Sequence, residues 1–201
     1  MDKADQAPRW TRRAVLTTTA GLGAAATLLA TVGTGSPASA WTSTTHAPYR
    51  YCGDCFVMFY WGFAPSGRCA ATGSTHRQIG WIFKIPFGGG WTPNDQPDWR
   101  WCRNCFGLFF SGFWPNYGRC IGNNVENIQH QPGSSIPFNY VLPHDIGEPP
   151  GTQANWEYCI NCSQLFYNGW APQRGVCFRF GGPHVPDPGA FHFAIPVSSY
   201  Q

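Results

Sequence analysis

Trp99-Arg100-Trp101-Cys102-Arg103-Asn104-Cys105-Phe106-Gly107-Leu108-Phe109-Phe110 is the middle copy of a pattern that the chain repeats three times. Its counterparts are Tyr49-Arg50-Tyr51-Cys52-Gly53-Asp54-Cys55-Phe56-Val57-Met58-Phe59-Tyr60 and Trp156-Glu157-Tyr158-Cys159-Ile160-Asn161-Cys162-Ser163-Gln164-Leu165-Phe166-Tyr167. Each copy continues through a glycine and an aromatic (Gly62-Phe63, Gly112-Phe113, Gly169-Trp170), a proline (Pro65, Pro115, Pro172) and a further glycine (Gly67, Gly118, Gly175). A third cysteine follows, Cys69, Cys120 or Cys177, and then a histidine, His76, His130 or His184. Each copy closes on an alternating run ending in proline: Trp81-x-Phe83-x-Ile85-Pro86, Phe138-x-Tyr140-x-Leu142-Pro143 and Phe191-x-Phe193-x-Ile195-Pro196. The first cysteines of successive copies lie 50 and 57 residues apart, which is the period of an array or of a closed pseudo-symmetric fold.

All nine cysteines belong to this pattern, three to a copy. Three thiols cannot pair off within one copy, whereas three thiols and an imidazole complete a tetrahedral metal site. The spacing is 13 or 14 residues between the second and third cysteine and 6 or 9 from there to the histidine, within the range of structural zinc sites. The candidate ligands are therefore Cys52, Cys55, Cys69 and His76; Cys102, Cys105, Cys120 and His130; and Cys159, Cys162, Cys177 and His184, for three structural zinc ions. The histidines are the weaker members, because their spacing drifts. Iron takes the same ligand types. The competing reading is a disulfide-stabilised exported domain, with or without a mixture of disulfides and free thiols, and the odd number of cysteines counts against it. Redox catalysis by the Cys-x-x-Cys pairs lacks the helix N-terminus or βαβ setting that lowers a thiol pKa.

Dense aromatics, frequent Gly and Pro, and no amphipathic helical period indicate short strands joined by tight turns. The expected fold is all-β, with three pseudo-symmetric repeats of about four short strands in a β-trefoil-like arrangement. The alternative is three packed zinc-ribbon-like modules in a row. The repeats fall at 41–98, 99–155 and 156–201 and form one domain, since a lone strand pair could not bury so much aromatic surface. Phe59, Phe109, Phe166, Phe83, Tyr140 and Phe193 are expected in the core.

Residues 1–40 read as an address. Thr11-Arg12-Arg13-Ala14-Val15-Leu16 is a twin-arginine pattern, a mildly apolar stretch follows to about Val32, and Ala38-Ser39-Ala40 is a cleavage site. Val15 stands where that pattern usually has a bulkier Phe. Gly21, Gly23 and several threonines interrupt the apolar stretch, which disfavours a membrane anchor. The expectation is a secreted or extracytoplasmic protein exported by the twin-arginine route, which carries folded, often cofactor-loaded proteins.

Of the 13 Lys+Arg residues four precede Trp41, leaving nine; of the 10 Asp+Glu two precede it, leaving eight. The mature chain is nearly neutral and has no basic stripe for nucleic acid and no apolar span for a membrane. Trp61, Phe63, Phe113, Trp114 and Trp170 stand beside turn glycines and prolines, where exposed rings stack on sugars or grip partners, or else plug the fold.

With W-x-x-C-x-x-C-x-x-L-F-[FY]-x-G and G-x-C-(x)n-H recurring together, the mature chain resembles a group of exported bacterial tandem-repeat proteins built from such units. Repeat one departs from the pattern at Met58 and in a loop one residue shorter before Cys69. The resemblance implies an architecture and not a reaction. Three functions fit: a secreted non-catalytic module binding carbohydrate, whose repeated weak sites add avidity; an exported metal-dependent hydrolase; and a structural or partner-binding surface protein. Four protein ligands close a zinc site to water, no carboxylate recurs in all three copies, and neither G-x-S-x-G nor H-E-x-x-H is present, so the hydrolase is disfavoured.

Overall fold

The computed structural model describes residues 44–88, 92–122, 128–136 and 138–200. The expected signal peptide, residues 1–40, lies outside the described residues.

Each unit contributes three strands. In the first they are β1 (Thr44–Cys52), β2 (Met58–Tyr60) and β3 (Gln78–Phe87). The second supplies β4 (Asp95–Trp101), β5 (Leu108–Phe110) and β6 (Tyr140–Pro143). The third supplies β7 (Thr152–Tyr158), β8 (Leu165–Tyr167) and β9 (Phe193–Tyr200). The short middle strand pairs antiparallel with the first in one common register: Tyr49 opposite Tyr60, Trp99 opposite Phe110, Trp156 opposite Tyr167. The first strand also pairs with the third, again in common register: Tyr49 with Phe83, Trp99 with Tyr140, Trp156 with Phe193. A bulge interrupts each of these ladders at the same place, just ahead of Tyr49, Trp99 and Trp156. Asp98 and Asn155, with φ of 69° and 65°, sit in it in the second and third units. Such bulges bend a strand and sharpen its twist, as a small barrel requires.

The third strands join the units. Strand β3 pairs with β9 (Phe83 opposite Val197) and touches β6 (Phe87 opposite Tyr140), and an isolated bridge between His144 and Phe193 links β6 to β9. The sheet is thus a nearly closed barrel in which the first unit pairs with the last. The fold is all-β, β-trefoil-like, with three pseudo-symmetric repeats. Modules packed in a row would leave the end units unpaired, so the linear alternative is not what forms.

One difference from the expected unit is informative. The segments around Cys69, Cys120 and Cys177 are not strands. Each follows a left-handed glycine, Gly67, Gly118 or Gly175, with φ of 69°, 74° and 62°. The third cysteine then enters a tight turn, with Gly73 N–H donating to the Cys69 carbonyl and Gly181 N–H to the Cys177 carbonyl. These turns point a sulfur inward and leave no extended backbone to join a ladder.

Alternation along the strands sorts the side chains into two compartments. Tyr49, Trp99 and Trp156, then Phe83, Tyr140 and Phe193, Met58, Leu108 and Leu165, and Ile85, Leu142 and Ile195 fill the barrel. Phe59, Phe109 and Phe166 are buried as expected, but on the other face of the middle strands, among the cysteines.

Candidate metal centres

The Cys-x-x-Cys segment of each unit forms a tight knuckle between its first two strands. Phe56 N–H donates to the Cys52 carbonyl and Cys52 N–H to the Val57 carbonyl; Cys102 with Phe106 and Gly107, and Cys159 with Ser163 and Gln164, repeat the arrangement. The residue after the second cysteine is left-handed: Phe56 at φ 67°, Phe106 at 65° and Ser163 at 63°. A non-glycine residue there costs about 1–2 kcal/mol, so other interactions must hold the knuckle.

The third cysteine and the histidine come from the long loop after the middle strand. A backbone clip docks that loop on the knuckle. Gly53 N–H donates to the Arg77 carbonyl at 3.0 Å, Arg103 N–H to Gln131 at 2.9 Å and Ile160 N–H to Val185 at 3.1 Å. The clip always takes the residue following the histidine. That is why His130, three residues later in its loop than its counterparts, still reaches the same place.

The four predicted ligands of each unit meet, with their donor atoms within 4.8 Å of one another and all twelve residues buried. The first and third sulfurs lie 3.8 Å apart in unit one, 3.6 Å in unit two and 3.9 Å in unit three. The second sulfur lies 3.5, 3.5 and 3.6 Å from the histidine Nδ1. A tetrahedral zinc with Zn–S near 2.3 Å and Zn–N near 2.05 Å sets S···S about 3.8 Å and S···N about 3.6 Å. A disulfide needs about 2.05 Å, and all nine cysteines are free thiols. The disulfide reading therefore does not hold.

The electrostatics carry the same demand. Burial pushes the thiols of Cys55, Cys105 and Cys162 well above the ordinary range. Hydrogen bonds from neighbouring thiols hold Cys69 and Cys159 far below it, and overcome burial to do the same at Cys102. Burial opposes charge on the His76 and His130 rings, yet the adjoining sulfurs of Cys52 and Cys69, and of Cys102 and Cys120, raise them to about 9 and about 10. The raised second thiol of each unit gives up its proton most readily to a nearby positive charge, and a divalent ion of borderline softness supplies it. Donor set, spacing, burial and charge all fit three structural zinc ions.

A second layer of contacts orients these ligands. Nε2–H of His76 donates to the Cys105 carbonyl at 2.9 Å, His130 to Cys162 at 2.9 Å and His184 to Cys55 at 3.0 Å. The acceptor always belongs to the next unit. Each ring also stacks on its own unit's phenylalanine: His76 on Phe59, His130 on Phe109, His184 on Phe166. Backbone N–H groups face sulfur, as at Gly122 to Cys120 (3.3 Å) and Gln131 to Cys102 (3.5 Å). Such contacts fix the tautomer and ring orientation of a ligand histidine and steady the thiolates. The one sequence signal for this layer was the repeated glycine before the third cysteine. A Cβ at Gly118 would stand 2.4 Å from the Cys162 carbonyl oxygen, so only glycine lets the loop reach the next knuckle.

The five aromatic candidates separate in the structure. Phe63 packs on Trp101 and Phe106 of the next unit, and Phe113 on Tyr158. Trp61 lies against the Arg50 guanidinium, 5.4 Å from ring centroid to carbon. Trp114 and Trp170 project outward, 75% and 59% exposed. Of the remaining histidines, His144 is buried against Phe191, His46 bonds the Tyr140 hydroxyl, and His192 is exposed beside the buried carboxylate of Glu157 at 2.8 Å.

No protein-family model, curated protein or solved structure matches the chain. Among the described residues, no helix is long and apolar enough to cross a membrane.

Proposed function

We propose that this chain is an exported, non-catalytic binding module that recognises carbohydrate through aromatic side chains on its turns, with the three metal centres serving as scaffold. The observation that carries this reading is the exposure of Trp114 and Trp170 on loops anchored at one end by a middle strand and at the other by a candidate metal ligand, Cys120 or Cys177. An indole face held in water on a rigid support is available to a partner without reordering, and a sugar ring offers a matching apolar face. The metal sites support a scaffold role, because four buried protein ligands leave no position open for water or substrate. The twin-arginine pattern at Arg12-Arg13 supports export of the loaded, folded protein.

The test is retention of the metal-loaded protein on a panel of insoluble and immobilised polysaccharides. Retention that is lost in Trp114→Ala/Trp170→Ala, with metal content unchanged, is the expected result. No retention on any glycan would sink the carbohydrate reading.

The alternative of a hydrolase rests on the open groove of about 410 Å³ between the second and third units, lined by Asp145, Asn155 and His192, with Glu157 behind His192. None of the candidate metal ligands lines the groove. Turnover of a polysaccharide by wild-type protein, abolished in His192→Ala, would favour it. A partner-binding surface protein is the other alternative, and a stoichiometric protein co-purifying with the exported chain would favour that.

A further inference from the structure

Each unit reaches the knuckle of the next through its ligand histidine and its middle strand, and these hydrogen bonds run in one direction around the ring. Unit one donates to unit two through His76 Nε2–H to the Cys105 carbonyl and through Tyr60 N–H to the adjoining Phe106 carbonyl at 2.9 Å. Unit two donates to unit three through His130 to Cys162 and Phe110 N–H to Ser163, also at 2.9 Å. Unit three closes the ring through His184 to Cys55 and Tyr167 N–H to Phe56, again at 2.9 Å. The bridges that join neighbouring middle strands, Phe59 to Gly107, Phe109 to Gln164 and Phe166 to Val57, follow the same order. In every case the acceptor is the knuckle of the next unit. Its first carbonyl belongs to a cysteine whose sulfur is a ligand, and its second to a residue in the left-handed region.

We propose that the three metal centres are coupled around this ring in one rotational sense: disturbing the histidine of one unit weakens the metal site of the next unit and spares the one behind it. The inference rests on the metal reading given above. A ligand histidine touches two metal sites, its own through Nδ1 and its neighbour's through Nε2–H. When that donor is lost, the carbonyl of Cys105 keeps the Arg68 N–H at 3.3 Å, while the buried carbonyl of Cys162 or Cys55 is left short of a partner. The peptide that follows it is already held in an unfavourable conformation, so it turns, and the sulfur on the same residue moves with it. The unit behind loses nothing, because its own histidine still donates to an intact knuckle. Gln164 adds a contact in the reverse direction, with its Nε2 3.5 Å from Cys105 Sγ; it has no equivalent at Val57 or Gly107. That contact stays in place when His130 is replaced.

The experiment uses the full mature chain loaded with cadmium-113, whose three sites give separate resonances assigned from single-ligand variants. Nδ1 is the ring nitrogen nearer the backbone, so His130→Cys keeps a fourth ligand at site two while removing the Nε2–H donor. The expected result is a ligand shift at site two, a second shift at site three and none at site one. Site three should also lose its metal to a chelator about tenfold faster than site one, the scale on which outer-shell partners act. His76→Cys should move site two in the same way, and His184→Cys site one, so the pattern rotates with the variant and does not depend on any one of them folding. Equal changes at both neighbours, or none at either, would overturn the coupling while leaving the metal sites standing. A wild-type chain that binds no metal would overturn both.

Discussion

The aromatic barrel and the metal-bearing face are built from alternate residues of the same strands, yet the three units treat them differently. In the barrel, equivalent places hold Tyr49, Trp99 and Trp156, or Phe83, Tyr140 and Phe193, or Met58, Leu108 and Leu165. On the metal face every unit has the same cysteines, the same histidine, the same stacked phenylalanine and the same left-handed glycine. Apolar burial is non-directional and rewards filled volume, so the barrel accepts any side chain that packs. Coordination fixes distances and angles at each donor, so the metal face does not.

Stripping the metal is the heaviest test of that contrast. Structural zinc sites are worth about 10–16 kcal/mol apiece in small peptides, against about 5–15 kcal/mol for the whole stability of a typical domain. Chelation should therefore abolish the near-ultraviolet circular dichroism of the packed aromatics, and zinc should restore it. A chelated chain that keeps its aromatic signal would place the stability in the barrel instead.

Cys105→Ser comes next. It should empty one of the three sites and remove a large part of the roughly 10 kcal/mol or more that a structural zinc site supplies to folding. Elemental analysis and a thermal melt read both effects. Unchanged metal content would remove Cys105 from the site.

Two glycines separate backbone strain from the seam between units. Gly147 at φ 70° has open space where a Cβ would go, so Gly147→Ala should cost only the left-handed penalty of about 1–2 kcal/mol. Gly118 at φ 74° would meet the Cys162 carbonyl at 2.4 Å, so Gly118→Ala should cost clearly more in a denaturant titration, about 2–4 kcal/mol, and loosen the metal of unit three. Equal costs at the two positions would show that the seam yields.

Ile195→Val is the mildest test and belongs to the barrel. It removes one buried methylene and should cost about 0.5–1.5 kcal/mol with metal content untouched. A loss of metal would mean that the two compartments are not separable.

Much of this was legible in the residues. The ligand sets could be written down from spacing, because a Cys-x-x-Cys turn puts two sulfurs on one side whatever surrounds it. The barrel residues followed from alternation with period two. Four strands per unit are expected from the sequence and three form, the segment at the third cysteine staying irregular, because Gly67, Gly118 and Gly175 look like ordinary turn residues and only their contacts reveal why the backbone bends there. Phe63 and Phe113 could not be told from Trp114 and Trp170 in sequence, since all four sit in the same turns. What separates them is whether a neighbouring unit happens to lie beneath the ring.

The sequence by itself determined the triplication, the all-β class, the twelve metal ligands and which face of each strand looks inward, since all of these depend on local spacing along the chain. The closure of the barrel, the pairing of the first unit with the last and the one-way ring from each histidine to the next knuckle were decided only in three dimensions. They join residues as far apart as Cys55 and His184. A contact of that kind leaves no period or motif in the chain, because its partners are brought together by the packing of all three units and not by either partner's own neighbours.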